Sequence, residues 1–152
     1  MKRSSISNAD PATAAALEGC ARAVSALAAR GLMAMIEPFV ARREGGPVRN
    51  VLTPEAMTRA IAVASGLGAT SAYTWLKVPV VDDMERVMAA STLPALLLGG
   101  DVRGRPWSDD RCWRRALALP TVKGLVAGRT LLYPHGDDVA DAVDAAVEVL
   151  RS

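Results

Sequence analysis

Lys77 lies in an apolar run, Tyr73 to Val78, where alternate residues share a face: Tyr73, Trp75 and Lys77 point one way, Thr74, Leu76 and Val78 the other. An ammonium on a buried strand is costly. Desolvation favours the neutral amine, and a neutral amine at the mouth of a dry pocket is the nucleophile of Schiff-base chemistry. The alternative is a lysine that reaches solvent or pairs with a carboxylate. Lys123 is the internal contrast, because it sits at the amino end of its run, and parallel folds collect function at the carboxyl end. Glu37 follows Met33 and Met35 on one face of another run, so if Lys77 faces the interior, Glu37 does too. It can act as acid or base, partner the lysine, or cap a loop. Gly99, Gly100 and Asp101 end a third run, and Gly128, Arg129 and Thr130 a fourth. Glycines let backbone N–H groups approach an anion, and a guanidinium adds a bidentate clamp. One acid, one amine and two glycine-rich turns suit a phosphorylated carbonyl compound. Singly, each turn is also what sterics ask of a strand end.

Other residues carry less. His135 stands in a Pro-His-Gly turn and is better read as a loop residue than as a base. Trp75, Trp107 and Trp113 are scattered, with packing as their default. Arg42, Arg43, Arg103 and Arg105 fall in loop-like stretches where solvated charge is the common explanation. Cys20 and Cys112 have no CxxC spacing, and a single histidine does not build a usual zinc site. No metal or organic cofactor is expected.

The elements that position these residues alternate. Asp10 and Pro11 open a helix to about Arg30, stopped by Gly31, and Leu32 to Ile36 is a buried strand ended by Glu37 and Pro38. Val40 to Leu52 is polar and rich in Gly, Pro and Arg, and reads as a long loop before Thr53 and Pro54 open a second helix. Three more strands follow at Tyr73–Val78, Ala95–Leu98 and Val122–Ala127, with helices over Asp82–Ala90 and Ser108–Leu119 and a last helix opened by Asp137. Four strands, apolar on both faces and alternating with helices, give an α/β fold with a parallel sheet. Two architectures share that order: a doubly wound sheet, complete near this length, and a (β/α)8 barrel, which needs about 250 residues. No GxGxxG turn follows any strand, which disfavours a dinucleotide site and leaves a flavodoxin-like domain open.

Composition sets the outer limits. The 152 residues are 51% hydrophobic and 22% charged, enough for one domain with a real core. Alanine fills 28 positions, which means helices. A net charge of +2 is too balanced to argue for nucleic acid or an anionic membrane. The start is polar, no apolar stretch approaches the roughly 20 residues of a membrane span, and two isolated cysteines fit a reducing setting, so a cytoplasmic protein is expected.

Together, Ala34–Phe39 (AMIEPF), Ser71–Val80 (SAYTWLKVPV), Pro94–Asp101 (PALLLGGD) and Lys123–Pro134 (KGLVAGRTLLYP) resemble the later strands of class I aldolase barrels, best the deoxyribose-phosphate aldolase-like group associated with inositol catabolism. The resemblance runs from about Asp10 to the last helix, and LKVP and GLVAGRTLLYP are its most specific parts. It implies strands five to eight, the C-terminal half, of a (β/α)8 TIM barrel in a single α/β domain over residues 1–152, with residues 1–9 a frayed end. It further implies metal-free retro-aldol cleavage of a phosphorylated sugar or keto acid. Lys77 matches the Schiff-base lysine, Gly100 with Gly128 and Arg129 match the phosphate turns, and Glu37 ends the fifth strand. A second lysine on the seventh strand, present in some class I aldolases, has no counterpart here. An open half barrel is expected to form homo-oligomers or to pair with a missing N-terminal half. The functional alternatives are a phosphate-binding or structural remnant without turnover and a complete flavodoxin-like domain.

Overall fold

The structure is a computed structural model that describes residues 3–6, 12–43, 47–98, 110–134 and 138–151. Its elements run β1 (Arg3–Ile6), α1 (Ala12–Ala28), β2 (Ala34–Arg43), β3 (Val48–Val51), α2 (Pro54–Ser65), β4 (Thr74–Pro79), α3 (Met84–Met88), β5 (Ala95–Leu98), α4 (Asp110–Leu117), β6 (Val122–Val126), α5 (Arg129–Leu132) and α6 (Val139–Arg151).

Local chemistry sets most boundaries. α1 ends where Gly31 takes φ +65° and the amides of Gly31 and Leu32 donate to the carbonyls of Ala28 and Leu27, both at 3.0 Å, closing the helix end in a Schellman motif. Thr53 caps α2 by accepting from the Ala56 amide at 3.3 Å, with Pro54 in the first turn. α2 then buries Met57, Ala60, Ile61 and Ala64, the i, i+3, i+4, i+7 face, against β2 and β4. The last helix is capped one residue later than the expected Asp137: Asp138 Oδ1 accepts from the amides of Ala140 and Asp141 at 2.9 and 3.1 Å.

The sheet runs β1-β2-β4-β5-β6, all neighbours parallel, with β3 added antiparallel to β2. Strand order follows chain order without a reversal, so right-handed crossovers place every helix on the same face. Burial agrees. Ile36, Leu76, Val78, Ala95 and Leu97 lie in one core with Met57, Ile61, Val87, Trp113 and Ala116, while Met35, Trp75, Leu96 and Leu98 on the other face are only half-buried. A doubly wound sheet needs a reversal and helices on both faces. The flavodoxin-like alternative therefore does not fit.

Three expectations are corrected. Residues 1–9 contain a strand: Arg3–Ile6 pairs with Glu37–Val40, so the parallel path holds five strands, not four. Its residues, Arg-Ser-Ser-Ile, carry no apolar signal, because backbone hydrogen bonds alone make the ladder. Nor is Val40–Leu52 one long loop, since β2 continues to Arg43 and turns back as β3. The polar residues Arg42, Arg49 and Asn50 hide the strand pattern of that hairpin. Glu37 and Pro38 do not end β2 either. Its ladder to β4 stops at Ile36, so at Pro38 only β1 remains as partner and the missing amide is tolerated.

Candidate active site

β2 and β4 place Met35 opposite Trp75 and Ile36 opposite Leu76. One residue further, Glu37 and Lys77 come side by side on the face that carries no helices. Lys77 Nζ lies 3.9 Å from Glu37 Oε2, with the two side chains only 10% and 2% exposed. That separation is a charge contact and too long for a hydrogen bond. Among the described residues, the buried Glu37 Oε2 has no hydrogen-bond partner. An orphaned carboxylate oxygen is expensive in a fold, and such groups concentrate where chemistry uses them.

Apolar side chains surround the pair. Leu96 sits opposite Lys77 across β4 and β5, and Met35 and Trp75 lie one step back along their strands. Leu96 also faces Gly124, where a register shift between β5 and β6 and a φ of +150° bend the last strand. The apolar wall at Leu96 was not foreseen. Ala95–Leu98 is apolar throughout, so it hides which of its residues face the lysine.

At the same end of the sheet, Gly128 follows β6, and its carbonyl accepts from the amides of Leu131 and Leu132, both at 3.0 Å. The backbone of Arg129 and Thr130 opens α5 there. A side chain at Gly128 would meet no atom within 4 Å, so the space beside its backbone is open. Gly99, Gly100 and Asp101 lie outside the described residues, as do His135, Trp107, Arg103 and Arg105. Lys123, at the opposite end, is exposed and donates to the Pro120 carbonyl at 2.8 Å. Trp113 packs in the core, and Arg42 is exposed beyond the site on β2. Cys20 and Cys112 are not joined in a disulfide. Among the described residues no helix is long and apolar enough to cross a membrane.

A parallel sheet in chain order, with a buried lysine and carboxylate on its helix-free face, can be set beside known proteins. A model of the Cgl0159-like family matches residues 3–147. The chain belongs to that family. The crystal structure of Cgl0159 from Corynebacterium glutamicum (Brevibacterium flavum) is 47% identical, with a TM-score of 0.91 over 97% of this chain and 50% of its own. Outside the Cgl0159-like family, a Schiff base forming fructose-1,6-bisphosphate aldolase matches at TM-score 0.70 and 22% identity, over 96% of this chain and 56% of its own. So does an archaeal fructose-1,6-bisphosphate aldolase whose catalytic Lys is covalently bound to the carbinolamine intermediate, at TM-score 0.70 and 19% identity, over 97% and 57%. At those identities the two aldolases show a shared, class I aldolase-like fold. No curated protein matches. The chain spans about half the length of the solved structures it resembles.

Proposed function

We propose that this chain carries the Schiff-base half of a class I aldolase-type lyase that cleaves a phosphorylated sugar or keto acid in the cytoplasm. The observation that carries it is the Lys77–Glu37 pair: a buried amine 3.9 Å from a buried carboxylate oxygen that has no hydrogen-bond partner among the described residues. Lys77 Nζ attacks the substrate carbonyl carbon to give a carbinolamine, which loses water to an iminium once a proton is delivered to its hydroxyl. A base then removes the proton of the hydroxyl on the β carbon. The carbon–carbon bond breaks, its electron pair moves into the iminium to give an enamine, and an aldehyde leaves. Protonation and hydrolysis of the enamine release the second carbonyl product, a ketone from a ketose or an aldehyde from an aldose, and free the amine. Glu37 is the proton carrier, since its Oε2 has no competing donor among the described residues. Lys77 is the nucleophile. No metal or organic cofactor enters this sequence.

The phosphate is held by the turns after β5 and β6, through Gly99, Gly100 and Asp101 and through Gly128, Arg129 and Thr130, as loops after the last barrel strands often do. The open space beside Gly128 supports this. In our reading the five parallel strands are the C-terminal wall of a (β/α)8 barrel, and LKVP and GLVAGRTLLYP favour a deoxyribose-phosphate aldolase-like enzyme of inositol catabolism over a fructose-bisphosphate aldolase. The test is borohydride incorporation with dihydroxyacetone phosphate or 2-deoxyribose 5-phosphate as the carbonyl compound. Irreversible labelling that inorganic phosphate suppresses is expected. A folded chain that takes up no label refutes an aldolase and leaves a phosphate-binding remnant.

A further inference from the structure

β6 breaks the alternation of a regular strand. Val122 is buried in the core and Leu125 packs against it, yet the two stand three residues apart, where strict alternation would put them on opposite faces. The pairing with β5 shows the cause. Ala95 partners Val122 and the next residue, Leu96, partners Gly124, so Lys123 is an extra residue without a partner on β5, a β-bulge. Gly124 carries the backbone through it at φ +150°, which a side chain would strain. Space is not what demands a glycine, since the nearest atom to a Cβ there, Leu96 Cδ2, would lie 3.7 Å away in ordinary contact. Lys123 is turned out of the sheet, exposed, with its amine on the Pro120 carbonyl at 2.8 Å.

We propose that Gly124 is a positioning residue for the phosphate site, a proposal that rests on the reading of Gly128, Arg129 and Thr130 as its turn. Without the bulge, β6 would slip by one residue against β5. Leu96 would then face Lys123, and Leu98 would face Leu125, so the side chains beyond would exchange faces. Two consequences reach the site. Lys123 would join Lys77 and Leu96 on the helix-free face, adding a second ammonium two strands from the nucleophile. Gly128 would stand one residue, about 3.3 Å, further beyond the level of Lys77. Misplacement by about 1 Å is enough to cost about a hundredfold in a positioned site. The bulge therefore keeps Lys123 off that face and fixes how far past the amine the turn stands.

Two variants test this, Gly124→Ala and the same variant with Lys123 deleted. The deletion removes the extra residue, so Val122 and residue 124 become successive partners of Ala95 and Leu96, and no positive φ is needed. Each is titrated with inorganic phosphate by calorimetry beside the native chain. Each is also trapped with borohydride and acetaldehyde, a carbonyl compound without phosphate, and the Lys77 adduct is read by peptide mapping. Gly124→Ala is expected to bind phosphate about tenfold or more weakly while Lys77 labels as in the native chain, because β4 keeps its place. Deleting Lys123 in that variant should restore phosphate affinity, which it would not do for a glycine needed only for stability. If Gly124→Ala does not fold, the deletion must restore both the fold and phosphate binding. Undiminished phosphate binding in Gly124→Ala, a loss that the deletion does not repair, or a native chain that binds no phosphate overturns the proposal. Phosphate binding that depends on Gly124 in this way, with no label on Lys77, would refute the aldolase and leave the positioning role standing.

Discussion

At the scale of residues, the protein keeps two opposite charges out of water at a distance that is not a hydrogen bond. Removing one partner of a buried pair typically costs about 3–5 kcal/mol, because it strands the other charge. Lys77→Met and Glu37→Gln are therefore each expected to destabilise the fold by that order in urea unfolding. The double variant should lose clearly less than the sum of the two, the mark of direct coupling. Additive losses would mean the pair does not interact. The lysine and the acid were both legible from alternation along their runs, since strand parity put Glu37 with Met35 and Lys77 with Trp75. Their being neighbours was not, because that depends on β2 and β4 pairing in register, which no local pattern encodes.

Elements were most legible where backbone chemistry punctuates the chain. Thr53–Pro54, Gly31 and the run Ala95–Leu98 mark their elements within a residue or so, because caps, left-handed glycines and apolar runs are local. β1 and the β2–β3 hairpin were not, since ladder hydrogen bonds need no particular side chain. Thr53→Ala should cost about 1 kcal/mol through the lost cap of α2. Gly68→Ala should cost more, roughly 1–3 kcal/mol, because Gly68 holds φ +86° and a Cβ there would sit 2.7 Å from Val24 Cγ1 on α1. Both are read from thermal or urea unfolding. Acid acts at the start of α2 too. A hydrogen bond from its own backbone amide holds the Glu55 carboxyl below its ordinary value, against an opposing desolvation and with help from the Arg86 guanidinium at 3.0 Å. A folded value below the unfolded one means the contribution is present above the unfolded pKa and lost as pH falls through the folded pKa. The stability gap between the native protein and Glu55→Gln should therefore be steady at neutral pH and close in the acid range. Because the site is fully exposed, high salt should shrink its Arg86 share.

At the scale of the whole molecule, the described parallel strands form a sheet in chain order whose core lies on one face. Apolar runs pointed to an α/β fold, but setting the doubly wound sheet aside took the strand order, a long-range property. Leu76→Ala on the covered face should cost about 2–5 kcal/mol, since Leu76 is fully buried in the core beneath Lys77. Schiff-base chemistry depends on which amine meets substrate, and the sequence has only three lysines, Lys2, Lys77 and Lys123. The most direct measurement is peptide mapping by mass spectrometry after borohydride trapping with a phosphorylated ketone or aldehyde. The reduced adduct should lie on Lys77 and vanish in Lys77→Met, while Lys123 stays unmodified. An adduct on Lys123 or Lys2, or one that survives Lys77→Met, would contradict a Schiff-base role for the buried lysine.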